Sequence, residues 1–533
     1  MEYFVLGIGG TGMRCIESFI HLCAMGMLDD TTVHLLALDT DKNNGNFARL
    51  KEVKDAYLNV KSLDPTARTA GKDSLFTANI KYYEFSPNYE QKSTFKDVFD
   101  YGNTQFQDRK KSDLADLVFS KDVEEFNLRH GYRAQTHLGS MMMYQAIIEA
   151  AQSQRANDLK RFLQNLITAS NNGKPRVFIL GSVFGGTGAS SIPIIPQAIA
   201  TAAGIISNGS ADVMGNAYFG STLLTAYFKF NLPSAAERAE QKIIATSDKF
   251  ALNSQVAMMY YQDDASVQQI YQKFYMIGTP SIEWDPMPQK TDAGAKTITG
   301  GAEQKNDSHY IELLAACAAL DFLHVDESVL SGNKENMRAD YQYRSVNDSG
   351  RLEFQDFVGQ ARADELAKKM NALTIVSILC NNPIYDFFAS LQNGAAKVAG
   401  FEDVDSEQIK NLKDYCRLYH FDVDGLGNLK EGWLRQLHRS AGGGDKFLFE
   451  SELFAPLTIK EQSKSDWNAP FRKEGVGSDY GFTVKLFENK YSKIKEAFLK
   501  VYDGTDDKST SFTNRHEQML KRTYDTLNTV YQY

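Results

Sequence analysis

Two glycine clusters dominate the chemistry that this sequence could perform. The first, Gly7-Ile8-Gly9-Gly10-Thr11-Gly12, follows a short apolar run, Tyr3 to Leu6, and precedes a helical pattern from Met13 to about Met27. The second, Phe184-Gly185-Gly186-Thr187-Gly188-Ala189-Ser190, follows the apolar run Arg176 to Leu180 and leads into an apolar helical pattern up to about Ala203. A glycine turn between strand and helix suits phosphate. Without Cβ, the backbone approaches an anion closely, and the amides and dipole of a helix N-terminus favour negative charge. Neither cluster continues into Gly-Lys-Ser/Thr, which argues against a Walker loop. Taken alone, Gly7, Gly9 and Gly12 satisfy the dinucleotide pattern G-x-G-x-x-G, with Asp39 closing the next strand where a ribose-binding acid would sit. Two such loops would instead let one polyphosphate be gripped from two sides.

The elements needed to position these loops are those of a doubly wound α/β domain. Val33 to Leu38 reads as a second buried strand ending in Asp39-Thr40-Asp41, and Arg176 to Leu180 as a third. Leu223 to Phe230 and Phe274 to Ile277 read as further strands. Asn43 to Arg129 is polar and irregular and reads as an insertion with structure of its own. A strongly apolar helix from about Ser308 to Phe322 reads as central and buried. The boundaries that follow are a nucleotide-binding domain over 1–305, with its insertion at about 43–129, and a central helix over 306–325. A second α+β domain over 326–470 and a C-terminal helical region over 471–533 complete the chain.

Composition narrows the setting. With 43% hydrophobic and 23% charged residues in 533, the chain can bury a large core. A net charge of -9 argues against general nucleic-acid binding, which needs a basic face. No apolar run approaches the roughly 20 residues of a membrane span, and Met1 runs straight into the first strand. The five cysteines lack metal-ligand spacing and read as buried small hydrophobes. Together these point to a cytoplasmic protein.

The second cluster resembles the G-G-G-T-G-[S/T]-G signature of the tubulin/FtsZ superfamily. The central Gly-Gly-Thr-Gly is kept, while Phe184, Ala189 and Ser190 depart from it. The opening cluster resembles the family's first phosphate loop, Leu38-Asp39-Thr40-Asp41 its second, and Gly131-Tyr132-Arg133 through Gly139 its third, in family order over roughly the first 200 residues. The size and the long stretch after Asn43 are more similar to the divergent bacterial tubulin-like members than to FtsZ.

This resemblance implies a Rossmann-like tubulin/FtsZ domain that binds GTP or GDP with Mg²⁺. It also implies self-assembly into a homopolymer or homo-oligomer, with hydrolysis completed at subunit contacts. The implied nucleotide-binding residues are Gly9, Gly10, Thr11, Gly12, Arg14, Asp39, Asp41, Arg133, Gly185, Gly186, Thr187, Gly188 and Asn306. His309 is a second candidate at the start of the central helix, and Glu237 and Arg238 are possible ribose contacts. For the acids that orient water from the neighbouring subunit, Glu353 and Asp356 faintly resemble the family's acidic run, with Asp321 and Asp326 as competitors. Arg14 stands where FtsZ has an asparagine and cannot copy an amide's paired donor and acceptor. Two other readings stay open. One is a nucleotide-dependent sensor or scaffold that binds a protein partner through the insertion or the C-terminal region. The other is a NAD-type dinucleotide enzyme.

Overall fold

The computed structural model describes residues 2–29, 31–61, 73–99, 109–128, 131–132, 135–229, 246–279, 285–286, 301–302, 304–345, 354–381, 406–423, 429–440 and 515–530. Its centre is a seven-stranded sheet in which every pairing is parallel. In chain order the strands are β1 (Glu2–Ile8), β2 (Thr32–Leu38), β3 (Asn79–Phe85), β4 (Arg176–Leu180), β5 (Tyr218–Leu224), β6 (Lys273–Gly278) and β7 (Asp340–Ser345). Across the sheet they run 3-2-1-4-5-6-7. The order reverses between β1 and β4, so the loops leaving these neighbouring strands diverge and open a crevice at their carboxyl ends.

Alternation along the strands builds two cores. Val5, Val33, Leu35, Phe178 and Leu180 face one side. Phe4, Leu6, Leu36, Val177 and Ile179 face the other. Full burial of each such side chain contributes roughly 1.5–3 kcal/mol. The first face carries helices α1 (Gly9–Ala24) and α2 (Gly45–Lys61) and the central helix, Tyr310–His324. The second carries helices Thr136–Gln152, Asp158–Asn172 and Ile195–Ile206.

Helix α1 is buried almost all round because a further layer covers its outer side. From that layer Trp433 Nε1 donates to Ser18 Oγ at 2.9 Å, and Tyr415 OH lies 2.6 Å from His21 Nδ1. Ser18 and His21 of α1 therefore have partners inside the protein rather than water.

The structure departs from the sequence reading in three places. The stretch after Asn43 contributes α2 and the edge strand β3 to the main sheet layer, so it is not a separate insertion over its first half. Its apolar positions (Phe47, Leu50, Val53, Tyr57 and Val60) recur at helical spacing among many charges, which hid them. The fifth strand is Tyr218–Leu224, earlier than Leu223 to Phe230, because Gly220, Ser221 and Thr222 interrupt its apolar run. All three are buried. Ser221 Oγ donates to Ile179 O at 3.0 Å, and a Cβ on Gly220 would lie 2.7 Å from the Phe322 ring of the central helix. Finally, the residues after the central helix, read as a second α+β domain, supply β7 to the same sheet. Helices Gln360–Asn381 and Ser406–Tyr419 share the core of α1. No helix among the described residues is long and apolar enough to cross a membrane.

Candidate functional site

The crevice at the switch point is a cleft enclosing about 820 Å³ of space, part of it open to solvent. One wall is the start of α1. Its N-cap is Ile8, whose side chain cannot cap, and no acid lies in the first turn. The first-turn amides of a helix have no partner within it and need one from elsewhere. Here Gly9, Gly10 and Thr11 line the cleft. Gly9 has φ +69°, a left-handed conformation that favours glycine.

The opposing wall is the loop after β4, where Gly185, Gly186, Thr187 and Gly188 line the same cleft. The two loops touch: a Cβ built on Gly9 would lie 3.4 Å from Thr187 Cβ. Gly131 joins them, its Cβ position lying 3.5 Å from Thr40 Oγ1 and 3.7 Å from Thr187 Oγ1. Gly12 does not line the cleft. It packs against the backbone of Gly7 and Leu180 and brings α1 close to the sheet.

Beyond β2, Asp39 and Asp41 line the cleft but do different work. Asp41 Oδ2 accepts from Gly301 N at 2.6 Å and its Oδ1 from Asn43 N at 3.2 Å, so it ties a distant segment to this edge. Asn44 Nδ2 donates to Gln304 Oε1 at 2.7 Å, and Asn306 N to Asn46 Oδ1 at 3.0 Å. These bonds fix 301–302 and 304–306 as a third wall, in which Gln304 and Asn306 face the cleft. Asp39 Oδ1 accepts from Asp41 N at 3.3 Å. Its Oδ2 and the hydroxyl of Thr40 are buried without a hydrogen-bond partner among the described residues. Burial pushes the Asp39 carboxyl up to about 7. Orphaned buried polar atoms are costly and rare, and Asp39 Oδ2, on a residue lining the same cleft as the uncapped end of α1, fits a polar ligand.

Arg14 lies one turn along α1 and is 2% exposed. It pairs with the buried Glu312 through Nε, and its Nη2 donates to Tyr227 OH at 2.5 Å. Tyr227 OH in turn donates to the same Glu312 oxygen at 2.6 Å. Burial works against the guanidinium charge, but Glu312 and Tyr227 outweigh it and hold Arg14 above its ordinary range. Phe184, Phe228 and Phe250 line this end of the cleft.

His309 caps the central helix. Its Nδ1 accepts from Ile311 N at 3.2 Å, while Glu312 Oε2 accepts from His309 N at 3.0 Å. Burial, with help from Arg14, brings His309 down to about 3. It is a capping residue and does not line the cleft.

The remaining candidates divide. Asp356 is exposed on the short helix Phe354–Val358 and is not among the residues lining its own chain's cleft. Asp321 is engaged internally, 3.2 Å from Arg344 and accepting from Tyr275 OH at 2.6 Å. Asp326 caps the helix Glu327–Glu335, accepting from Ser328 N at 2.8 Å. Arg133, Glu237, Arg238 and Glu353 lie outside the described residues. Sequence reasoning missed Asn44, Gln304, Phe228 and Phe250. Only Asn44, three residues past Asp41, carried a local signal.

No protein-family model and no curated protein matches this chain. Among solved structures, CetZ2 from Haloferax volcanii, in a GTPγS-bound protofilament, matches at 11% identity. The match covers 64% of each chain, short of two thirds of CetZ2, with a TM-score of 0.27. That score is too low to carry weight; the class defined by sheet order and cleft is a doubly wound α/β protein with a crevice at its switch point.

Proposed function

We propose that this cleft binds a nucleoside polyphosphate, GTP or GDP in the first instance, and that the chain is a tubulin/FtsZ-like protein that self-assembles and hydrolyses GTP at subunit contacts. The observation that carries the binding reading is the contact of Gly9 with Thr187. It puts two glycine loops, each leaving a parallel strand, at one end of the sheet and against one cavity. A polyphosphate would take the uncapped first turn of α1 on one side and the Gly185–Gly188 backbone on the other. Thr40 and Thr187 would supply hydroxyls, and Asp39 would meet a ribose hydroxyl or a phosphate-bound Mg²⁺. Such an ion would help neutralise charge on the phosphates. Hydrolysis and assembly rest on the sequence resemblance, with Asp356 exposed as a residue acting on a neighbour must be.

The test is to identify the nucleotide that copurifies with the protein, then measure GTP affinity and GTP-dependent pelleting. Purified protein that binds no guanine nucleotide would defeat the binding reading. Binding without assembly over a broad range of conditions would leave a nucleotide-dependent sensor or scaffold.

One observation keeps a dinucleotide in play. Asp39 follows β2 beside the first glycine loop, with one oxygen unpartnered among the described residues, the position of a ribose-binding acid. Tight NAD binding without GTP binding would favour that reading.

A further inference from the structure

We propose that Arg14 selects the base, the free end of its guanidinium reading the six-oxo and N7 acceptors of a purine, so that the cleft takes six-oxo purine nucleotides with or without a 2-amino group. This rests on the nucleotide reading above.

Nε and Nη2 form one edge of the guanidinium fork, and that edge is committed: Nε to Glu312 and Nη2 to Tyr227. The end-on edge, made by Nη1 and the second hydrogen of Nη2, has two parallel donors. Nη1 makes no hydrogen bond among the described residues, and Arg14 lines the cleft. Glu312 is itself fixed as the N3 member of the capping box of the central helix. The fork is thus held rigid from behind, on a residue that lines the cavity.

The place of the base follows from the two ends of the cleft. Gly9, Gly10, Thr11 and Gly185–Gly188 make a glycine end suited to phosphate. Arg14 lies about 5–6 Å further along α1 than Gly10, one helical turn. It meets an aromatic end, where the Phe228 ring centroid is 5.6 Å from its Cζ. Phe184 lies 5.4 Å from Phe228 and 4.8 Å from Phe250. A planar base fits an aromatic wall, and an arginine beside it can bond within the base plane.

Arginine offers only donors. Guanine presents two acceptors, O6 and N7, spaced for a bidentate arginine. Hypoxanthine presents the same pair. Adenine places an amino group opposite the fork and leaves one acceptor. An amide reader of the Watson–Crick edge would instead depend on the 2-amino group, which the Arg14 fork does not touch.

The experiment titrates the full-length protein with GTP, ITP, ATP, 7-deaza-GTP and inorganic tripolyphosphate. ITP should bind within about threefold of GTP, and ATP about 10- to 100-fold more weakly. Loss of N7 should cost 7-deaza-GTP about fivefold or more. In Arg14→Lys, which keeps the charge but loses the planar fork, GTP and ATP should converge to within about threefold. Tripolyphosphate, having no base, should bind that variant as it binds the native protein.

ITP more than about tenfold weaker than GTP, or 7-deaza-GTP equal to GTP, would overturn the proposal. So would Arg14→Lys that keeps full discrimination, or that loses tripolyphosphate along with GTP, which would make Arg14 a phosphate ligand. A native protein that binds none of the five overturns the nucleotide reading and this one with it. Tripolyphosphate or GTP binding with the wrong base order overturns this one alone. The native series decides even if the variant folds poorly.

Discussion

Gly9 and Thr187 face each other at the switch point, with a Cβ on Gly9 3.4 Å from Thr187 Cβ. Gly9→Val would put a β-branched residue at φ +69° and push its methyls into that contact. It should lower affinity for GTP by at least about tenfold, with stability reduced by about 1–3 kcal/mol. Paired calorimetric titration and thermal melts would check both. Thr187→Val is the gentler companion, expected to weaken binding with little change in Tm.

Asp39 makes stability depend on pH in an unusual direction for a carboxylate. Burial raises its folded-state value to about 7, while the unfolded chain titrates near 3.8. Between those values the folded state holds the extra proton, so this contribution to stability is complete below about pH 4. It is lost as pH rises toward 7 and does not change above that. Asp39→Asn should stabilise the nucleotide-free protein at pH 8 by up to a few kcal/mol and flatten the slope of Tm between pH 4 and 7. An unchanged slope would show that Asp39 is solvated in solution.

Glu312 compensates a buried guanidinium. Glu312→Ala leaves Arg14 charged and unpaired and should cost about 3–5 kcal/mol by urea denaturation. The pair Arg14→Met with Glu312→Leu should recover most of that loss while abolishing any base preference. If the single and double variants were equally unstable, packing rather than charge would hold the two helices.

Asp356 should matter only between chains. Glu353→Ala with Asp356→Ala should leave GTP affinity unchanged and slow turnover by about 10²-fold or more under assembling conditions. Unchanged turnover at equal pelleting would take both acids out of the reaction.

The glycine loops and their flanking strands were legible because their signal is local. An apolar run, a glycine turn and a helical period follow one another within twenty-odd residues at Tyr3–Met27 and again at Arg176–Ala203. The partners of Arg14 were not, since Tyr227 and Glu312 meet it only through tertiary packing. Glu312 looked like one polar residue in an apolar helix. The fifth strand was misplaced because Gly220, Ser221 and Thr222, normally a break, are there buried in the strand, with Gly220 leaving room for Phe322. The edge strand β7, Asp-Tyr-Gln-Tyr-Arg-Ser, has one covered side and lacks the apolar run of a central strand. His309 shows the opposite failure: a polar residue at a helix start was equally consistent with capping, and capping is its role.

The wall formed by 301–302 and 304–306 has a consequence for how the protein is made. Its anchors, Asp41 to Gly301 and Asn46 to Asn306, join residues 260 positions apart. Contacts of such long range form late, because chain entropy must be spent before they reward it. During synthesis both glycine loops emerge well before the segment that faces them and before Glu312, which orients Arg14. A nascent chain would therefore carry both halves of the grip with Arg14 not yet fixed in place, and the order of the third wall would be the last property of the cleft to mature.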